Sequence, residues 1–340
     1  MKRGLVVLDP TEIPEEEWGQ RIGAVQERLR AERIDVALIY NDVSRGDDIG
    51  YLTNLVIYWN EGMLAIPAEG EATLLTKLSK RVFAWMERTS MITDLRSGQS
   101  IGALVSAYLA NRQAGRLGFV DADLWPALYV EEIASAVPDW EIVELGAVIR
   151  EQRKVLSSAE QALLRTGAGV LAEALEAATA AGEDVRSRMG ALESVARHGG
   201  FADVVLRGLE TGERATIEVA AEYRHNWLLV GRSYGVHEDA ALIEARNAAL
   251  SALASGATWT DAGLSGLAAL EASPVTNAAL TWISQTDFAN RGELRAPLEG
   301  RPVDGEVAAL QIEFLDDAGC RAVRTDTFLV GAGHSELLTN

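Results

Sequence analysis

Between Thr216 and Tyr234 the chain reads TIEVAAEYRHNWLLVGRSY, a run that is apolar at both ends and polar in the middle. Glu218, Glu222, His225 and Arg232 stand there among aliphatic and aromatic neighbours. Further on, Glu313 stands in the strand AALQIEFL, whose other residues are apolar except Gln311. Two carboxylates brought onto adjacent buried strands repel one another, which raises one pKa and makes an acid/base pair. The competing arrangement pairs each acid with an arginine, for example Arg232 or Arg324, and is structural. A histidine titrates near neutral pH and can take a proton from water or from a substrate nitrogen. His198, in ARHGGF, ends a helix, where a cation also suits the dipole. His225 lies near the turn of the candidate hairpin, and His237 and His334 read as loop residues. Cys320, beside Gly319 in a turn, reads as inert. The chain has no Walker loop and no dinucleotide fingerprint.

The elements that must position these residues fall into two styles. In the first half, helical and strand patterns alternate. EEEWGQRIGAVQERLRAERI places Trp18, Ile22, Val25 and Leu29 on one helical face, and DVALIY follows as a buried strand. GMLAIPAEGEATLLT reads as a hairpin around 68–71, and helix–strand alternation continues to WEIVEL. This order predicts a mixed or parallel sheet covered by helices. The second half begins with alanine-rich helices near 158–181 and 184–197. Strands FADVVLRG and Thr216–Tyr234 follow, then a helix near 238–254 and two closing strands, EVAALQIEFLD and CRAVRTDTFLV. Helices before antiparallel strands predict an α+β unit, with the seam at EQRKVLSSAEQ, so that 1–153 and 154–340 are the expected domains.

Composition limits the classes of partner. Of 340 residues, 48% are hydrophobic and 24% charged, which supplies ample core for a globular protein. The net charge of −19 repels nucleic acid and anionic lipid, and no basic cluster offsets it. No apolar run approaches the roughly 20 residues of a membrane helix. A single cysteine suits a reducing, cytoplasmic setting, and the first residues do not read as a secretory signal.

Several short stretches, in order, resemble the creatinase/prolidase/aminopeptidase P superfamily. DVALIYNDVSRGDDIGYLTNL looks like its first strand and Tyr-Leu-Thr element. RKVLSSAE resembles its interdomain Arg-x-x-Lys-Ser-x-x-Glu at Arg153, Ser157 and Glu160, with Leu156 in place of lysine. RAVRTDTFLVGAGHSELLT resembles its closing strand. The resemblance implies a creatinase-like α/β N-terminal domain and a pita-bread α+β C-terminal domain. Metal peptidases of this group hold two divalent ions with two Asp, one His and two Glu. By the group's spacing, counting back from Arg232 puts Leu229 and Glu218 at the Asp positions. The histidine region is ALTWISQTDF, which has none, and the two Glu positions are Glu313 and Thr325. Leucine and threonine cannot replace carboxylates on a dication, so the expectation is no metal and no other cofactor.

The resemblance then assigns Glu218, Glu313 and His198 as candidate catalytic residues. Arg232, Thr325, Asp326, His225, Trp59 and Glu61 become candidate substrate contacts, with Asp203 and Arg207 at the same edge. Family dimers bring an N-terminal domain over the partner's cavity. A homodimer is therefore expected, with Asp47, Asp48, Trp59 or Glu61 lining a shared site. The leading expectation is a metal-independent, creatinase-like hydrolase or lyase acting on a C–N bond of a small polar nitrogenous molecule. The alternatives are a non-catalytic binding or scaffold protein on the same fold and an Xaa-Pro-type peptidase with an altered metal site.

Overall fold

The protein is represented by a computed structural model, which describes residues 7–57, 60–182, 184–211, 214–235, 239–271, 276–288, 298–315, 319, 321–331 and 333–339. The chain divides into two compact units, Met1–Arg153 and Lys154–Asn340.

The first unit runs α1 (Glu15–Glu32), β1 (Val36–Asn41), α2 (Asp47–Thr53), β2 (Gly62–Pro67), β3 (Thr73–Thr76), α3 (Phe83–Thr89), β4 (Asp94–Ser97), α4 (Ile101–Leu109), β5 (Arg116–Val120), α5 (Ala127–Ala136), β6 (Glu141–Gly146) and α6 (Val148–Arg153). Its six-stranded sheet has the order β4-β3-β2-β1-β5-β6 and is mixed. β1 is buried along its whole length, as its run of apolar residues requires when helices cover both faces. Its alternation sends Ala37 and Ile39 into one core with Leu29 and Ile49. Val36, Leu38 and Tyr40 enter the other, with Ile101 and Phe119.

The second unit runs α7 (Ser158–Ala180), α8 (Val185–His198), β7 (Asp203–Thr211), β8 (Arg214–Tyr223), β9 (Asn226–Tyr234), α9 (Asp239–Ala254), α10 (Trp259–Glu271), β10 (Thr276–Ser284), β11 (Val307–Leu315), β12 (Arg321–Gly331) and β13 (His334–Leu337). α7 opens with a capping box: Ser157 Oγ accepts from the Glu160 amide at 3.1 Å, and the Glu160 carboxylate accepts from the Ser157 amide at 3.1 Å. Two orphan N–H groups are thereby satisfied, which gives Ser157 and Glu160 a local structural task. The sheet has the order β10-β11-β12-β9-β8-β7, with β13 on β12. α9 and α10 cover one face, where Leu242, Ala245, Trp259 and Leu270 pack with Ile312, Phe314 and Phe328. Alternation along β11 leaves Glu313 on the opposite face. α10 and β10 lie in a part of the chain to which the sequence pattern assigns no element.

Candidate functional site

The site starts with the tight hairpin between β8 and β9. Arg224 and His225 both have positive φ, 50° and 66°, and Tyr223 pairs with Asn226. A two-residue turn of this hand matches the twist of the strands it joins and locks their register. Glu218 thereby falls opposite Gly231. Pairing continues across the sheet: Arg207 faces Glu218, Gly231 faces Thr325, Thr325 faces Gln311, and Gln311 faces Thr281. Residues directly opposite share a face, so these six form one row on the face away from α9 and α10. Thr325 therefore has Gln311 as its neighbour. Glu313, which the spacing assigned to the ligand set, lies one row over, opposite Val323.

Glu218 and Gln311 are three strand steps apart, roughly 14 Å on a flat sheet. Gln311 Nε2 nevertheless donates to Glu218 Oε1 at 2.7 Å. The sheet must curve toward this face, and the side chains between them, Gly231 and Thr325, must be small. The result is a trough. Arg321 closes one end: its Nε and Nη2 donate to Glu313 Oε2 at 2.9 and 2.5 Å, and Nη2 lies 3.7 Å from Glu218 Oε1. One guanidinium thus stands between both acids, and the three side chains are 21–36% exposed. The arginine that engages the two glutamates is Arg321, and neither Arg232 nor Arg324 does so.

Arg232 and Asp326 belong to the other face. Each follows a residue of the trough row, Gly231 or Thr325, so strand alternation turns it the opposite way. Asp326 is 1% exposed. Its Oδ1 lies 2.7 Å from Arg232 Nη2, and its Oδ2 accepts from Arg246 Nη1 at 3.1 Å and from Arg324 Nε at 2.8 Å. Burial lowers the Arg232 pKa, and the Asp326 charge works against that shift. The expectation that Arg232 and Asp326 contact a ligand beside Glu218 is corrected: they form a structural ion cluster that ties β9 and β12 to α9.

The histidines are not in the trough either. His198 ends α8, is exposed, and its Nδ1 sits 2.7 Å from the Ser194 carbonyl of its own helix. A base held on the outer turn of a helix has no contact with Glu218 or Glu313, so His198 is corrected to a helix-end residue. His225 occupies the hairpin turn, 7% exposed, with Nδ1 3.7 Å from Glu222 Oε1. It lies at the turn end of the hairpin, away from the Glu218–Gly231 pair. Asp203 faces Glu222 across β7 and β8, and Arg207 is exposed beside Glu218.

In the first unit, Glu61 accepts from Lys77 Nζ at 2.7 Å and from Tyr129 Oη. Those two hydrogen bonds hold its carboxyl below the usual range, and Lys77 is raised by its own hydrogen bonds to Glu61 and Tyr129. Asp48 pairs with Arg153 at 2.7 Å, yet burial outweighs the guanidinium and raises its pKa. Trp59, His237 and Cys320 lie outside the described residues.

The donor chemistry can be tested against the two dications of the metal peptidases. Leu229 is apolar, Thr325 offers a hydroxyl and Gln311 an amide, while Glu218 and Glu313 already face Arg321. Among the described residues no group of three His, Cys, Asp or Glu side chains lies together so as to hold a metal ion. The described trough does not fit that pair of ions. Among the described residues no helix is long and apolar enough to cross a membrane.

Residues 21–155 match the family model described as the Creatinase/Prolidase N-terminal domain. No curated protein matches the chain by sequence. Solved structures do match in fold. The prolidase from Pyrococcus horikoshii OT3 superposes with a TM-score of 0.76 at 17% identity, covering 94% of this chain and 98% of that one. The Xaa-Pro dipeptidase from Bacillus anthracis gives 0.77 at 15%, covering 95% and 98%. The X-Pro aminopeptidase from Thermotoga maritima MSB8 gives 0.75 at 14%, covering 94% and 97%. Residues 21–155 are therefore a Creatinase/Prolidase N-terminal domain, and the chain as a whole has the fold of the prolidases and Xaa-Pro peptidases, that domain followed by a pita-bread domain.

Proposed function

We propose that the trough of the second unit is the site of a hydrolase acting on a C–N bond of a small peptide-like molecule, with Xaa-Pro dipeptides the first class to try. The observation that carries this reading is the cluster Glu218–Gln311–Arg321–Glu313 on the sheet face opposite the helices. Two acids and a fixed cation suit a zwitterion: the carboxylates take an ammonium group, and the guanidinium takes a carboxylate or the oxygen that becomes charged in acyl transfer. Glu218 or Glu313 would accept the proton of the attacking water. The fold shared with prolidases and Xaa-Pro peptidases over 94–95% of the chain supports the peptide class over the creatinase-like one. Metal independence is part of the proposal and rests on the donor set described above.

A second reading, a ligand-binding protein without turnover, is favoured by one observation: Arg321 already engages both acids. Homodimer formation is proposed on the ground of the superfamily resemblance and is checked by light scattering. The test of function is hydrolysis of an Xaa-Pro dipeptide panel in chelator and again with added Mn²⁺ or Co²⁺. Cleavage in chelator is the expected result. Cleavage only with metal points to an altered metal site, and binding without cleavage points to the second reading.

A further inference from the structure

Three hydroxyls line the seam between β9 and β12, and two are fully engaged. Ser233 Oγ accepts from the Val323 amide at 2.7 Å and donates to the Val323 carbonyl at 3.1 Å. Thr327 Oγ1 accepts from the Leu229 amide at 3.0 Å and donates to the Leu229 carbonyl at 2.8 Å. These hydroxyls stand in for ladder bonds, and the direct register between the strands is Thr325 with Gly231. Thr325 lies between them along the seam, 1% exposed, and its Oγ1 has no hydrogen-bond partner among the described residues. A buried hydroxyl left in that state costs free energy and calls for an explanation.

The surroundings suggest one. A Cβ on Gly231 would stand 2.7 Å from Thr325 Oγ1, so the glycine is what leaves room beside the hydroxyl. Glu218 and Gln311 flank this pair in the same row, and their hydrogen bond joins the two sides of the trough. We propose that the Glu218–Gln311 bridge is a displaceable cover, and that Thr325 Oγ1 with those two side chains forms a seat for a ligand bearing an ammonium or amide N–H next to an oxygen. On binding, Glu218 accepts from the ligand nitrogen, Gln311 donates to the ligand oxygen, and Thr325 gains its missing partner. The bridge bond is exchanged for ligand bonds, and the cost of the unpaired hydroxyl is recovered. The ligand class rests on the peptide reading above, whereas the cover does not.

The variants Thr325→Val, Thr325→Ser and Gln311→Ala test this. Valine matches threonine in shape and removes an unpaired hydroxyl, so Thr325→Val is expected to melt at or above the wild-type midpoint. Its affinity for Ala-Pro, measured by calorimetry, is expected to fall about tenfold, with Thr325→Ser near wild type. In a crystal structure of Gln311→Ala, with the cover removed, an ordered water is expected within hydrogen-bond distance of Thr325 Oγ1. A lowered midpoint for Thr325→Val, unchanged Ala-Pro affinity in that variant, or a dry Thr325 in Gln311→Ala overturns the cover. A wild-type protein that binds no Ala-Pro sinks the peptide reading instead, and the melting and crystallographic results still decide the cover.

Discussion

The two faces of the second unit's sheet use the same ingredients, carboxylates and arginines, for different ends. On the helix-covered face, one fully buried carboxylate, Asp326, is shared by Arg232, Arg246 and Arg324. On the concave face, one part-exposed guanidinium, Arg321, is shared by Glu218 and Glu313. Burial separates them. A buried ion whose partner is removed is left uncompensated, while a part-exposed one is rehydrated. The covered cluster therefore reads as architecture, and the open one as a place where a ligand can compete for the charges.

Asp326→Asn gives the sharpest contrast. It leaves three guanidinium groups around a neutral amide and is expected to lose about 3–5 kcal/mol of stability in urea unfolding. A loss below about 1 kcal/mol would mean that the cluster is solvated, and the two faces would cease to differ. Gly231→Ala probes the thin point between the faces. Its Cβ meets Thr325 Oγ1 at 2.7 Å, and the overpacking is expected to cost about 1–3 kcal/mol in the same measurement.

Glu313→Gln on the open face should change stability by no more than about 0–1 kcal/mol. If Glu313 handles a proton or anchors a cation, turnover should drop at least about 10²-fold. A variant that keeps full activity but unfolds early would move Glu313 into the architectural class.

The smallest effect concerns Glu61, a half-open carboxylate of the first unit. Its folded pKa is lowered by Lys77 and Tyr129, so its contribution is complete above the ordinary glutamate range and is lost as pH falls through the lowered value. Glu61→Gln should flatten the acid limb of the stability–pH curve. An unchanged limb would show that the contact holds no differential charge stabilisation.

Much of the framework was legible in the chain. The capping box at Ser157 and Glu160 marks the start of α7, and the hairpin β8–β9 shows as two apolar runs around Arg224-His225. The superfamily resemblance survives in scattered short motifs. α10 and β10 were missed because GLSGLAALEA and TNAALTWIS carry weak, small-residue patterns, and packing onto the sheet decides their conformation.

Residue types and strand periodicity, read along the chain, determined that Ile312 and Phe314 go one way and Glu313 the other. They also showed that the group's ligand positions near Leu229 and Thr325 no longer carry acids. The tertiary structure decided which strands lie side by side, and with what register. Only that pairing sets Thr325 against Gln311 and brings Arg321 between Glu218 and Glu313. It also gathers Arg232, Arg246 and Arg324, from three different elements, onto Asp326. Alternation is a local property of the backbone and can be read from sequence. Register across β8, β9, β12 and β11 links residues about 90 positions apart, through a curvature that no local pattern encodes.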